Sequence, residues 1–288
     1  MKKVIFFGCF LLLSACHSSK APLAAKAPNS QDLKNAGTEI VGGSVAANAD
    51  SIQQEVFEYQ TFVPKDTADK TKSVKTDSPY DIWECTTSAL SPRIFLLAAH
   101  CIEPTSVKSN VIFIQPDGSK IAVNVLKAIA HPDYNDNNSD PDLALILLEK
   151  DAPANIHIMA LPSPNDPVVF TQVRAAGFGY TSGVDEDNSH DADLLRFTNL
   201  DVKGFKIDSP NFTIDQSNGH GICQGDSGGS AVITYNNAYY TVGVASETLY
   251  DEKKVPVDFC NDRGLFVNVQ YYNAWLSKNI AELTLLEK

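Results

Sequence analysis

Three short segments far apart in this chain have to meet, and that requirement narrows its fold more than any other feature. Asp142 opens the run Asp142-Leu143-Ala144-Leu145-Ile146-Leu147-Leu148, apolar enough to be buried on both sides. A carboxylate removed from water without a partner is strongly unfavourable, so the fold must bring it a cation or an imidazole. His100, in Leu97-Ala98-Ala99-His100-Cys101, is the candidate. Gly225-Asp226-Ser227-Gly228-Gly229 then offers a hydroxyl for such an imidazole to deprotonate. Every residue of that pentapeptide is a good turn former, and in isolation it could be a simple connection between strands. A base and a buried acid elsewhere in the chain favour the nucleophile.

The order His100, Asp142, Ser227 is joined by Ile40-Val41-Gly42-Gly43, by His131-Pro132-Asp133-Tyr134 ahead of the aspartate run, and by Ala176-Gly177-Phe178-Gly179. Together these segments resemble the trypsin/chymotrypsin family of serine endopeptidases from Ile40 to the C-terminus. The resemblance implies an all-β fold: two six-stranded antiparallel β-barrels packed face to face with a C-terminal α-helix, all within residues 40–288. The local patterns agree. Ile121-Ala122-Val123-Asn124-Val125 and Tyr240-Thr241-Val242-Gly243-Val244 suit half-buried strands. Tyr272, Leu276, Ile280 and Leu283 form a helical apolar stripe, expected to pack on the second barrel.

The resemblance also implies roles. Ser227 attacks a peptide carbonyl, His100 takes and returns the proton, and Asp142, assisted by Ser246, holds the imidazole. The oxyanion would sit on the N–H groups of Gly225 and Ser227. Cleavage before Ile40 would free an amine that pairs with Asp226 and orders this loop, making the uncut chain a zymogen. Glu39 precedes the cut, which suits a glutamate-preferring activating protease better than a trypsin-like one. Substrate would meet Gly221, Ile222, Gln224, Ser246, Glu247, Thr248 and Gly264. Gly221 stands at the pocket base where trypsins carry Asp, and Thr248 narrows the entrance, so small or medium aliphatic side chains are expected, with broad preference.

Three departures from the family pattern bear on specificity: Glu247 replaces a cleft Trp, Thr86-Thr87 replace a Gly-Gly pair, and a longer loop spans 248–260. Glu247 either draws basic side chains into the cleft, giving a trypsin-like preference, or points to solvent. Residues 61–82, rich in Lys, Asp, Thr and Ser, read as an inserted surface loop. From another functional class, a non-catalytic homologue acting as a binding module would be expected to lack one of the key residues. His100, Asp142, Ser227, Gly225 and Asp226 are all present.

Lys2 and Lys3 precede a short apolar stretch, residues 4–13, which reads as a secretory signal occupying 1–15. Leu13-Ser14-Ala15-Cys16 resembles a bacterial lipobox, implying lipidation of Cys16 and an envelope lipoprotein before activation; the alternative is an ordinary small-residue cleavage site. Residues 16–39 read as a tether or propeptide with few large apolar side chains. Without Cys9 and Cys16, four cysteines remain, and four allow three pairings. The resemblance selects Cys85 with Cys101 and Cys223 with Cys260, in an oxidising compartment. No Cys-x-x-Cys spacing supports a zinc site, and no nucleotide fingerprint suggests a cofactor.

Charge narrows the partners. Residues before Ile40 hold five basic and two acidic side chains, leaving 18 basic and 33 acidic and a net charge of −15 for the rest. Such a domain is repelled by nucleic acid and by anionic lipid headgroups. The acidity gathers at Asp185-Glu186-Asp187 and over 133–142, consistent with solvated loops. Protein or peptide substrates and a monomeric state are expected.

Overall fold

A computed structural model describes residues 23–25, 40–47, 51–65, 79–135, 140–165, 167–184, 194–251, 253 and 258–287. Two short strands come first, β1 (Leu23–Ala25) and β2 (Ser44–Val45). The first barrel follows: β3 (Phe57–Pro64), β4 (Tyr80–Ala89), β5 (Ile94–Leu97), β6 (Lys108–Ile114), β7 (Lys120–Ala130) and β8 (Ala144–Leu148). It closes in the order β3-β4-β5-β8-β7-β6. After β9 (Val168–Phe170) comes the second: β10 (Gln172–Gly177), β11 (Arg196–Lys203), β12 (Asn211–Asp215), β13 (Ser230–Tyr235), β14 (Ala238–Leu249) and β15 (Arg263–Asn268). Its order is β10-β13-β14-β15-β12-β11, closed by β10 on β11, with β2 added beside β11. The last element is α1 (Asn273–Leu285).

The apolar runs go where their pattern demands. Every residue of Ile94–Leu97 and Ala144–Leu148 is buried, and Phe57, Phe95 and Phe113 pack as an aromatic trio in the same core. In the second barrel Phe170, Phe205, Phe212 and Phe266 do the same. Thr241 departs from simple alternation: it is fully buried because its strand faces a barrel interior on one side and the seam between barrels on the other. There it donates to Ser230 Oγ at 2.7 Å, and Ser230 in turn meets Ser88 Oγ of the first barrel at 2.6 Å. This buried chain of hydroxyls joins the two barrels with each group satisfied.

Two expectations need correcting. The C-terminal helix packs on the first barrel, not the second: Leu276 and Leu283 are buried in the same core as Leu96 and Leu145, and Lys127 Nζ of β7 reaches Glu282 Oε1 at 2.9 Å. The insertion read over 61–82 is smaller, because Thr61–Pro64 pair with Tyr80–Trp83 as a barrel hairpin. Thr61 is fully buried there, sharing a 2.8 Å hydrogen bond with Ser109. Within the stretch read as a tether or propeptide, Leu23–Ala25 pairs in parallel with Val168–Phe170. The signal segment, Cys16, and residues 66–78, 185–190, 252 and 254–257 lie outside the described residues. Among the described residues no helix is long and apolar enough to cross a membrane.

Candidate active site

The site is assembled on the seam by loops from both barrels. Ala99–Cys101 form a single 3-10 turn after β5, which exposes His100 while Ala99 and Cys101 remain buried. The Cys85–Cys101 disulfide ties that turn to β4. Asp142, 2% exposed at the start of the β8 run, accepts three hydrogen bonds. Its Oδ1 takes the His100 backbone N–H at 2.9 Å, and its Oδ2 takes His100 Nδ1 at 2.6 Å and Ser246 Oγ at 2.7 Å. An Nδ1–H held on the carboxylate leaves Nε2 as a lone-pair base facing outward. Ser246 is available because β14 carries a bulge: Ala245 opposes Phe266 and Glu247 opposes Leu265, so Ser246 is the extra, unpaired residue.

The loop around Ser227 is held from several sides. Thr86 N–H donates to Ser227 C=O at 2.8 Å, and Thr86 Oγ1 donates to Gly225 C=O at 3.0 Å. Thr86, which departs from the resembled pattern, therefore braces the nucleophile loop directly. Tyr180 N–H donates to Gln224 C=O at 2.7 Å. In a trans peptide the next N–H points opposite to that carbonyl, so the Gly225 N–H is turned to the other side of the loop. Gly225 has φ of 95°, which favours glycine.

Beneath the loop lies Asp226, 1% exposed, accepting from Gly179 N–H and Cys223 N–H, each at 2.8 Å. Arg196, also 1% exposed, was not singled out from the sequence. It faces Gly177 across β10 and β11, and directly opposed residues share a face. A Cβ on Gly177 would lie 2.1 Å from Asp226 Oδ1, so the arginine side chain sets out toward the same carboxylate. The only hint in the sequence was a charge inside Leu194-Leu195-Arg196-Phe197. Burial pushes Asp226 up to about 7; the Cys223 and Gly179 N–H groups and the Arg196 charge act in the opposite direction.

A testable pH dependence follows. The folded carboxyl holds its proton above its ordinary value of 3.8, so the intact chain loses stability as pH rises through that value and up to about 7. The loss is on the order of 4 kcal/mol, complete above that window. In a Ser227→Ala background, which prevents self-digestion, adding Asp226→Asn should flatten the change in urea midpoint between pH 4 and pH 8. Identical pH profiles with and without Asp226→Asn would contradict the assignment.

Ile40 is 1% exposed. Val41 bridges to Gly221, whose N–H donates to Val41 C=O at 3.1 Å. Gly42 has φ of 66°, and a Cβ there would lie 2.1 Å from Gly219 O, so this turn requires glycine. Among the described residues Asp226 accepts from Gly179 and Cys223 rather than from Ile40, whose nitrogen is a peptide nitrogen in the intact chain. It lies near β11, since a Cβ on Gly43 would come within 2.8 Å of Ile40 N and 2.7 Å of Phe197 O.

A cleft of about 220 Å³ adjoins Ser227, lined by Ile222, Cys223, Gln224, Ser227, Ser246, Glu247 and Thr248. The Cys223–Cys260 disulfide ties one wall to the chain entering β15. Glu247 is exposed and also lines this cleft, so its two sequence readings are compatible. Two residues expected at the pocket fall elsewhere: Gly221 and Gly264 are buried behind the lining, because the Gln216 side chain occupies the space in front of them. Among the described residues, one group of potential metal ligands gathers, Cys85, His100 and Cys101, and the disulfide consumes both sulfurs.

Comparison with known proteins places the chain in a family. Residues 65–276 match the trypsin family model. The chain is 31% identical over 169 residues to a chymotrypsin of Phaedon cochleariae, covering 52% of this chain and 59% of that protein. It is 28% identical over 209 residues to brachyurin of Leptuca pugilator, covering 68% and 87%. Against the chymotrypsin-like elastase family member 1 of Macaca fascicularis the figures are 26% over 206 residues, 65% and 74%. These relatives are eukaryotic and give no support to a bacterial lipoprotein type. The matched segment begins after the leader, which rests on its own sequence alone.

Proposed function

Because this chain belongs to the trypsin family, we propose that it is an exported serine endopeptidase that hydrolyses peptide bonds through an acyl-enzyme. The observation that carries this reading is the Asp142 carboxylate bound at once to His100 Nδ1, His100 N–H and Ser246 Oγ. His100 Nε2 takes the Ser227 proton as Oγ attacks the carbonyl carbon. The Gly225 and Ser227 N–H groups receive the negative charge that develops on the oxygen. Proton return from His100 to the leaving amine gives the acyl-enzyme, which water then opens by the same route. An oxyanion donor of this kind contributes about 3–4 kcal/mol to the transition state.

The preferred residue on the acyl side of the cut (P1) is small or aliphatic. In support, Ile222 and Thr248 stand among the residues that line the cleft. Glu247 at the cleft gives a specific reason to test a second reading, a basic P1 preference.

Activation and release belong to the same proposal. Residues 1–15 direct export, Cys16 carries the lipid, and a glutamate-accepting protease cuts before Ile40. The new amine becomes a second cation for Asp226, a buried carboxylate whose described hydrogen bonds come from the Gly179 and Cys223 N–H groups. Residues 17–39 contain no cysteine, so the cut leaves the domain held to its leader only noncovalently, in part by the Leu23–Ala25 strand.

The test uses protein beginning at Ile40, with Ser227→Ala as control, on a diverse peptide pool. Cuts after Ala or Val that vanish in the control are expected. Cuts after Lys or Arg would keep the protease and transfer specificity to Glu247. No serine-dependent cuts would overturn the endopeptidase and favour a binding module.

A further inference from the structure

Behind the cleft, one side chain fills two glycine vacancies. A Cβ on Gly221 would lie 2.2 Å from Gln216 Cδ, and one on Gly264 would lie 2.3 Å from Gln216 Oε1. Gln216 is 0% exposed, and both polar atoms of its carboxamide are hydrogen-bonded. Nε2 donates to Ile222 C=O at 3.0 Å and to Cys260 C=O at 2.7 Å; Oε1 accepts the Ile222 N–H at 3.0 Å. Both amide protons are thus spent on the backbone of the two chain segments that the Cys223–Cys260 disulfide joins. Ile222 and Cys223 line the cleft, whereas Gly221 and Gly264 do not.

We propose that Gln216 is the floor of the P1 pocket, a neutral plug that shortens it and selects peptides with small aliphatic P1 residues. The inference rests on the endopeptidase reading above and adds the residue that sets its substrate class. Two properties do the selecting. The first is volume. A long or aromatic P1 side chain reaches the depth where Gly221 and Gly264 would otherwise leave room, and meets the carboxamide instead. Moving that group aside would strip Ile222 N–H, Ile222 C=O and Cys260 C=O of their partner in a site shut off from water. The second is charge. A lysine or arginine that reaches this depth meets an amide whose N–H groups are directed at carbonyls and whose oxygen already accepts one bond.

The experiment compares kcat/KM on short peptides that differ only at P1 (Ala, Val, Leu, Phe, Lys) for the unmodified protein, Gln216→Ala and Gln216→Met. Active-site titration normalises each to the folded fraction. Gln216→Ala deletes the plug and is expected to raise the Leu:Ala and Phe:Ala ratios at least tenfold, the scale at which pockets discriminate by methylenes. Gln216→Met keeps a side chain of similar length without the hydrogen bonds, so its P1 ratios should stay near the unmodified values while its Tm falls. Should Gln216→Ala fail to fold, Gln216→Asn retracts the amide by one methylene and is expected to shift the ratios in the same direction by less. Unchanged P1 ratios in the folded Ala or Asn variant would overturn the proposal and leave Gln216 a structural brace. If the unmodified protein shows no Ser227-dependent cleavage, the endopeptidase reading has failed, and the pocket assignment falls with it.

Discussion

Replacing Ser227 by Ala is expected to lower kcat by about a million-fold, with KM little changed. The substitution removes one oxygen and nothing that holds the loop. Ser227 contributes its backbone C=O to Thr86, and the Asp142, His100 and Ser246 hydrogen bonds do not involve it. Stability should therefore shift by no more than about 0.5 kcal/mol. The variant keeps the candidate oxyanion donors, and a residual acceleration of about a thousand-fold or more over water is the expected floor. Steady-state kinetics with a peptide amide, together with thermal melts of both proteins, check this. A variant retaining even a hundredth of the parent activity would exclude Ser227 as the nucleophile.

Replacing Asp142 by Asn should lower kcat about ten-thousand-fold, for a reason specific to its three contacts. An amide has one oxygen where the carboxylate has two. If that oxygen remains on the His100 backbone N–H, the amide NH2 confronts His100 Nδ1 and Ser246 Oγ, now as a donor. The imidazole must then accept at Nδ1 and carry its proton on Nε2, where it cannot take one from Ser227. Reaction of Ser227 with a small phosphonylating reagent should slow along with peptide hydrolysis, whereas peptide affinity should remain. An equal loss in affinity for a substrate-like inhibitor would instead point to collapse of the site.

The chemistry of the site was legible in the sequence because it depends on residue types. A carboxylate opening a buried run requires a partner, and His100 and Ser227 in their local settings supply the other functions. What remained hidden depends on where strands seat their side chains. Gln216 reads as an ordinary polar residue at the end of a strand; only the pairing of β12 with β15, and the missing Cβ atoms of Gly221 and Gly264, turn it inward. Arg196 is similar, since its register with Gly177 aims it toward Asp226. The helical stripe Tyr272, Leu276, Ile280 and Leu283 established that one face is covered, but amphipathicity does not say by what, and the first barrel covers it. Thr61 misled because a polar residue in a polar stretch reads as loop, whereas its hydroxyl is satisfied by Ser109 inside a hairpin.

Trapping the acyl-enzyme tests the central claim most directly. Protein beginning at Ile40 is mixed with an activated ester of a short peptide ending in Ala, quenched in acid within the first turnovers, and digested for mass spectrometry. A mass increase equal to the acyl group, located on Ser227 and absent from the Ser227→Ala and Asp142→Asn proteins at the same time point, is expected. Ester turnover with no adduct, or with the adduct on another residue, would contradict catalysis by Ser227, His100 and Asp142.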